Sequence, residues 1–295
     1  MYSGEVTVGF IGLGNMGNPI AKRIIDAGFK TVVHDVREEA MIEFQSRGIV
    51  CLKSPWEVAQ LANVVLASLP GPREVKEVAV GVNGLIHGGK MDAFIDLSTT
   101  GVRVARDVSK ALKERGIEML DAPVSGGVEG ARRGTLTIMV SGNKDVYIKY
   151  LPILKIIGKN IHYVGEKPGL AQAMKLINNM LSAIALVATS EGIILGLKEG
   201  LDIKTMIDIL NVSSGRNSAT QDKFPKSIIP GTFDYGFKMG LMVKDLELYI
   251  EEVKEKLKPI ISDCLLDVWR QAEKKYGANV DFTWIFKYIA EAMQL

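Results

Sequence analysis

From Val6 to about Val164, short β-rich apolar runs alternate with stretches whose apolar residues recur at helical spacing. The runs predict strands at Thr7–Ile11, Thr31–His34, Ile49–Leu52, Val64–Leu69, Ala93–Leu97, Ile117–Ala122, Leu136–Ser141 and Ile161–Val164. Helices are predicted between them at about Met16–Ala27, Pro55–Ala62, Gly101–Glu114 and Lys144–Ile157. Such alternation implies a largely parallel sheet with helices on both faces, the last strands running antiparallel at an edge.

The pattern changes after Gly165, beyond which no strand signal is found. Gly169–Leu197 reads as one long helix, apolar on most of its circumference, followed by helices at Asp202–Asn211, Gln221–Ile228 (weakly marked), Lys244–Leu257, Pro259–Tyr276 and about Thr283–Met293. A helix apolar all round needs protein on every side. Ser182, Ser190 and Glu191 interrupt it, so a buried helix is expected here and not a membrane span. It is expected on the hinge side between two domains, with part of it buried in a partner subunit.

The first strand runs into glycines: Ile11-Gly12-Leu13-Gly14-Asn15-Met16-Gly17, a G-x-G-x-x-G turn opening a helix that stops at Gly28. Gly12 permits the tight turn, Gly14 lets the backbone approach a pyrophosphate, and Gly17 lets the helix pack on the sheet. The free N–H groups at the helix start then favour phosphate. The second strand ends in His34-Asp35, where an acid would accept hydrogen bonds from ribose hydroxyls. A carboxylate there repels a 2′-phosphate, so NAD is expected over NADP, with Arg37 softening the preference. The fold class is therefore α/β, a Rossmann-type doubly wound sheet over residues 1–164, plus an all-α domain over residues 165–295.

Composition narrows the partners. The net charge is +2 with no basic block, so nucleic acid is not expected. Cys51 and Cys264 lie in apolar stretches and are expected as reduced, buried thiols of a cytoplasmic protein. His34, His87 and His162 do not cluster, and no metal is expected. The N-terminus has no charged and apolar leader pattern, so no signal peptide is expected.

Three further segments carry chemistry. In Asp121-Ala122-Pro123-Val124-Ser125-Gly126-Gly127 a strand ends in a small-residue turn whose N–H groups and hydroxyl suit a carboxylate, although a plain loop needing small residues reads equally well. In the long helix Lys175 and Asn179 stand at i and i+4 and share a face. Lys244-Asp245, taken alone, reads as a solvated charge pair at a helix start.

Together, in order along the whole chain, G-x-G-x-x-G, D-x-P-V-S-G-G, G-x-x-x-G-x-x-x-x-x-K-x-x-N-N and K-D-L-x-L resemble the β-hydroxyacid dehydrogenase family. The resemblance implies an NAD(P)-dependent oxidoreductase acting on a small 3-hydroxy acid or its semialdehyde, working as a homodimer or homotetramer away from membranes. Lys175 matches the catalytic lysine. Ser125, Gly126 and Gly127 match the turn holding the substrate carboxylate, Asn179 a substrate-bonding asparagine, and Lys244 a lysine near nicotinamide and substrate. The cofactor is expected to meet Gly12, Leu13, Gly14, Asn15, Met16, Gly17, Asp35, Val36, Arg37, Leu69, Pro70, Ser98, Thr99 and Lys244. NADP-using members tend to carry Asn-Arg where this chain has Asp35-Val36. A lysine with ordinary affinity holds its proton to about pH 10.4, so a base at this place needs desolvation and the positive nicotinamide ring beside it. Ser213–Ser218, with Arg216, resembles the family's specificity region, and Phe237 and Met239 are expected at the pocket wall. An imine reductase on the same scaffold, or a non-catalytic dinucleotide-binding scaffold, are the other readings. Members of those kinds usually lack the lysine found at 175.

Overall fold

The computed structural model describes residues 6–295. The chain divides into two compact units, one extending to Lys175 and the other spanning Leu176–Leu295. That division falls inside the long helix that runs from Leu170 to Lys198.

In the first unit β1 (Thr7–Ile11), α1 (Gly17–Asp26), β2 (Lys30–His34), α2 (Ile42–Ser46), β3 (Val50–Cys51), α3 (Pro55–Leu61), β4 (Val64–Ala67), α4 (Pro72–Val80), β5 (Ala93–Asp96) and α5 (Val102–Lys113) follow in order. Then come β6 (Glu118–Asp121), β7 (Val124–Ser125), α6 (Gly127–Arg133), β8 (Leu136–Gly142), α7 (Lys144–Ile157) and β9 (Gly158–Gly165). The sheet order is β3-β2-β1-β4-β5-β6-β8-β7, with β9 on β8. Strands β1 to β6 pair in parallel, β8 runs antiparallel to β6 and β7, and β9 returns parallel to β8. Apolar clusters pack on both faces: Phe10, Ile20 and Ile138 on one, Val65, Phe94 and Leu112 on the other. That double burial is why the strands read as near-continuous apolar runs.

Four elements escaped the pattern, among them the short helices α2 and α6, of five and seven residues. Helix α4 buries Val75, Val78 and Ala79, a stripe too short to stand out, and starts on Pro72 after Gly71. β7 has only two residues, paired at Val124↔Ile138 and Ser125↔Thr137.

The register aligns Ile11 with Ala67, Ala67 with Asp96 and Asp96 with Asp121. The carboxyl ends of four strands thus form one edge, and the order reverses direction between β1 and β4, where open α/β sheets bind ligands. Two carboxyls end this row inside the protein: Asp96 is 0% and Asp121 1% exposed. Burial pushes Asp96 up to about 7, against the bonds it accepts from Ser98. Burial likewise raises Asp121. Unfolded, an aspartate like Asp96 titrates near 3.8, so the folded protein keeps a proton that the unfolded chain has released. Its contribution to stability is complete below that value and is lost as pH rises through about 7. An Asp96→Asn variant should therefore lose less of its denaturant midpoint than the parent between about pH 5 and pH 8. Equal losses would refute the assignment.

The second unit is helical: the long α8 (Leu170–Lys198), which begins in the first unit, then α9 (Ile203–Asn211), a wide π-type helix over Ala219–Ile228, α10 (Met239–Lys256), α11 (Ser262–Tyr276) and α12 (Ile285–Ala292). Asp202 caps α9 by accepting from the Thr205 N–H at 2.9 Å. Ala183, Phe224, Met242, Leu246, Trp269 and Phe282 build its core. Trp269 is fully buried and stacked on Phe282, ring centroids 6.2 Å apart.

Several expectations need correcting. α8 is long and apolar enough to cross a membrane, yet only 39% of its most apolar stretch is buried within this chain. Ile177, Leu181 and Leu195 are exposed, so nothing in a single chain covers that face. Cys264 is exposed and Cys51 half-buried, both free. On α11 the inward positions go to Leu265, Leu266 and Trp269, which turns Cys264 outward. α10 starts at Met239, five residues before the expected Lys244, so Lys244-Asp245 lies in its second turn and Asp245 is only 3% exposed. Met239 is fully buried in the helical core and cannot form a pocket wall.

Candidate active site

Gly12 has φ +89°, and a Cβ there would lie 2.3 Å from the Ser68 carbonyl oxygen. A Cβ on Gly17 would lie 1.8 Å from the Gly12 carbonyl oxygen. At Gly14 the same atom would meet nothing within 4 Å. The outer two glycines are thus demanded by the fold, whereas the middle one leaves open space over the helix start. The structure brings this turn to Asp35: Leu13 N–H donates to Asp35 Oδ2 at 2.6 Å, and Arg37 N–H and Nε donate to Oδ1 at 2.9 and 3.2 Å. Burial raises the Asp35 carboxyl, but these N–H bonds and the Arg37 guanidinium outweigh it and leave it below the ordinary range. Val36 beside it is 88% exposed. An open cradle of N–H groups with a charged carboxylate at the next strand end fits a dinucleotide's pyrophosphate and ribose.

The turns after β4 and β5 also meet, Leu69 N–H donating to Ser98 Oγ at 2.9 Å. Ser98 N–H in turn donates to Asp96 Oδ1 at 2.9 Å. Pro70 is exposed and Thr99 half-buried. The Ser125 turn is not adjacent to them, since β6 and β8 stand between β5 and β7. Gly126 and Gly127 have φ of +131° and +64° and are exposed.

Lys175 is 8% and Asn179 6% exposed, one turn apart on α8. Within the helical unit Asn179 Nδ2 donates to Asp245 Oδ2 at 2.5 Å, and Lys244 Nζ lies 2.9 Å from Asp245 Oδ1. Asp245 Oδ1 accepts no well-directed hydrogen bond, so its contact with the ammonium is Coulombic. Asp245 therefore joins two predicted site residues, and it was missed. Its signal was present: an acid flanked by Met242, Val243 and Leu246 on a helix cannot be fully solvated. Arg216 is exposed, and Phe237 sits edge-on to Phe282 at 5.6 Å. A cavity of about 920 Å³ lined by Arg106, Lys110, Asn143, Lys144 and Glu166 contains none of the predicted site residues.

The first unit thus carries a dinucleotide-type turn and a buried lysine, and the second a buried amide held by an acid. Comparison with known proteins points the same way. The family described as the NAD binding domain of 6-phosphogluconate dehydrogenase matches residues 7–165. The one described as NAD-binding of NADP-dependent 3-hydroxyisobutyrate dehydrogenase matches residues 169–289. Mouse (Mus musculus) mitochondrial 3-hydroxyisobutyrate dehydrogenase is 37% identical over 295 positions, spanning 97% of this chain and 88% of that protein. The 2-(hydroxymethyl)glutarate dehydrogenase of Eubacterium barkeri is 37% identical, spanning 87% and 85%. Among solved structures, Mycobacterium tuberculosis 3-hydroxyisobutyrate dehydrogenase with L-serine superposes with a TM-score of 0.88 at 29% identity, covering 96% of this chain and 99% of that one.

Proposed function

This chain belongs to the β-hydroxyacid dehydrogenase family, an NAD(P)-dependent oxidoreductase acting on CH–OH groups, and from that premise we propose that Lys175 is its acid–base residue and a 3-hydroxy acid its substrate. The observation that carries this is the burial of Lys175 one turn from Asn179, whose amide is held by Asp245.

The substrate class follows from chemistry shared by the names of two relatives and by the L-serine in a similar solved structure. In 3-hydroxyisobutyrate, 2-(hydroxymethyl)glutarate and L-serine, a primary alcohol stands on the carbon β to a carboxylate. The substrate is accordingly HOCH2–CHR–COO⁻, and its product the semialdehyde. Ser125, Gly126 and Gly127 anchor the carboxylate through N–H groups and one hydroxyl. In oxidation the neutral Lys175 amine takes the hydroxyl proton, and in reduction the ammonium returns it to the carbonyl oxygen. Asn179 has two amide hydrogens; one is committed to Asp245, and the other orients the substrate oxygen. Lys244, held by Asp245, supplies positive charge to the anionic substrate. Bound NAD supplies the carbon that exchanges the hydride. Gly12 to Gly17, Leu69, Pro70, Ser98 and Thr99 line its place, and Asp35, kept ionised by its N–H bonds, takes the ribose and favours NAD over NADP, with Val36 and Arg37 at the adenosine.

The apolar stripe of Ile177, Leu181 and Leu195 on α8 supports a homodimer or homotetramer, which sedimentation velocity decides. The two free cysteines fit a reducing compartment such as the cytoplasm, and cell fractionation distinguishes it from the mitochondrion.

The test is a spectrophotometric screen of NAD and NADP with 3-hydroxyisobutyrate, L-serine and 2-(hydroxymethyl)glutarate. NADH should form with at least one of them, faster than NADPH. Ser125→Ala should raise the KM for that acid about tenfold, as expected for loss of a hydrogen bond to a charged group. Oxidation of a 2-hydroxy acid such as lactate, with none of the three consumed, would overturn the substrate class.

A further inference from the structure

α8 starts without a cap of its own. Gly169 precedes it, and the first N–H groups of a helix have no partner within the helix. Here they are satisfied from the sheet. Gly169 N–H donates to Asp121 Oδ1 at 3.1 Å, Gln172 N–H to Asp121 Oδ2 at 3.2 Å, and Ala171 N–H to Ser141 Oγ at 2.9 Å. The Ser141 hydroxyl in turn donates to Asp121 Oδ1 at 2.8 Å. One buried carboxylate and one buried hydroxyl, from β6 and β8, thus hold the helix start.

The side chain of Gln172 adds a second tie. Its Oε1 accepts from the N–H groups of Thr100 and Gly101 at 2.9 and 3.3 Å, and its Nε2 donates to the Ser98 carbonyl at 2.9 Å. Thr100 Oγ1 also reaches Asp96 Oδ2 at 3.4 Å. Gln172 is fully buried, and all three of its bonds go to the segment after β5. Lys175 stands at i+3 from Gln172, on the neighbouring position of the same helical face. A structural cap would need only a serine or aspartate at 169. This chain instead ties the turn carrying the amine to the turn that faces the cofactor.

We propose that Asp121, Ser141 and Gln172 are positioning residues that set the distance between the Lys175 amine and the Ser98–Thr99 turn. The inference rests on the acid–base role given to Lys175 above. It goes further by naming what fixes that amine. Proton and hydride transfer need reacting groups in near-contact geometry, and a displacement of about 1 Å costs on the order of 100-fold in rate. The hydrogen bonds of Gln172 are therefore worth more to turnover than to folding.

The decisive variant is Gln172→Met, which keeps length and packing while removing all three side-chain bonds. It should lower kcat about 30- to 100-fold and leave the KM for the hydroxy acid within about threefold. Asp121→Asn, which replaces one acceptor oxygen with a donor, should lower kcat by a similar factor, with NADH affinity from fluorescence titration within about threefold. It should also speed amide hydrogen exchange in the peptide covering Gly169 to Lys175, a readout independent of turnover. Ser141→Ala should show the same pattern more weakly and stands in if Asp121→Asn does not fold. All rates are taken well below each variant's unfolding midpoint. Parental kcat in folded Gln172→Met overturns the positioning role, as does a fall in kcat matched by an equal rise in KM. Lys175→Ala, run alongside, separates the two ideas. If it retains the parental rate the acid–base reading itself falls, and if it is inactive while Gln172→Met is not, only the positioning role falls.

Discussion

Replacing Lys175 with alanine is expected to lower kcat about 1,000-fold, since a positioned proton carrier contributes on the order of 10²–10⁴ in rate. NADH should still bind within about threefold of the parent, because the glycine turn and Asp35 lie on other elements and are not touched. Alanine has the highest helix propensity, so α8 itself should persist. Lys175→Arg makes the test sharper. It keeps the positive charge but cannot give up its proton at working pH, so it should be as slow as alanine if proton transfer is the role. If charge alone matters, arginine will rescue. A Lys175→Ala enzyme with more than about a tenth of the parental kcat would end the assignment.

The second large effect is at Gly14. Gly14→Ala should weaken NAD binding about 100-fold, or about 2.7 kcal/mol, with no measurable change in the unfolding midpoint. The added methyl meets no protein atom within 4 Å, so the folded chain has no reason to resist it. A pyrophosphate would, if the open space over the helix start is where it binds, as proposed above. Gly17→Ala is the contrast: its methyl would lie 1.8 Å from the Gly12 carbonyl oxygen, so it should damage stability and binding together. Isothermal titration with NAD and a thermal melt separate the two variants. A Gly14→Ala protein that binds NAD as the parent does would move the cofactor elsewhere.

Much of this molecule was legible because its signals are local. The strand, the glycine turn and the acid at 35 lie within one βαβ unit, and the turn needs Gly12 and Gly17 for steric reasons alone. The change from β-rich runs to helical spacing at Gly165 is a change of period, which a sequence displays directly. What stayed hidden depends on distant partners. The spacing alone starts α10 at Lys244, five residues late, which rotates the assignment of its faces and makes Asp245 read as solvated. Asp96 and Asp121 each stand between apolar neighbours in Ile95-Asp96-Leu97 and Leu120-Asp121-Ala122, a pattern that marks a buried acid with a task. Their partners lie up to 51 residues away, as with Gln172 and Asp121, so burial was foreseeable and the bonds were not. The apolar circumference of α8 states a need for cover, but a sequence does not say which molecule provides it.

The three tryptophans divide unequally between the two units, and this decides what an optical experiment sees. Trp56, in the sheet unit, is 42% exposed and already washed by water. Trp269, in the helical unit, is sealed against Phe282, and its indole N–H finds no acceptor among the described residues. On denaturation a dry indole shifts its emission strongly and a wet one hardly at all. A fluorescence melt of this protein is therefore a record of its helical half. The βαβ half can unfold earlier or later almost unseen, so a single smooth curve is no proof that the chain melts as one body.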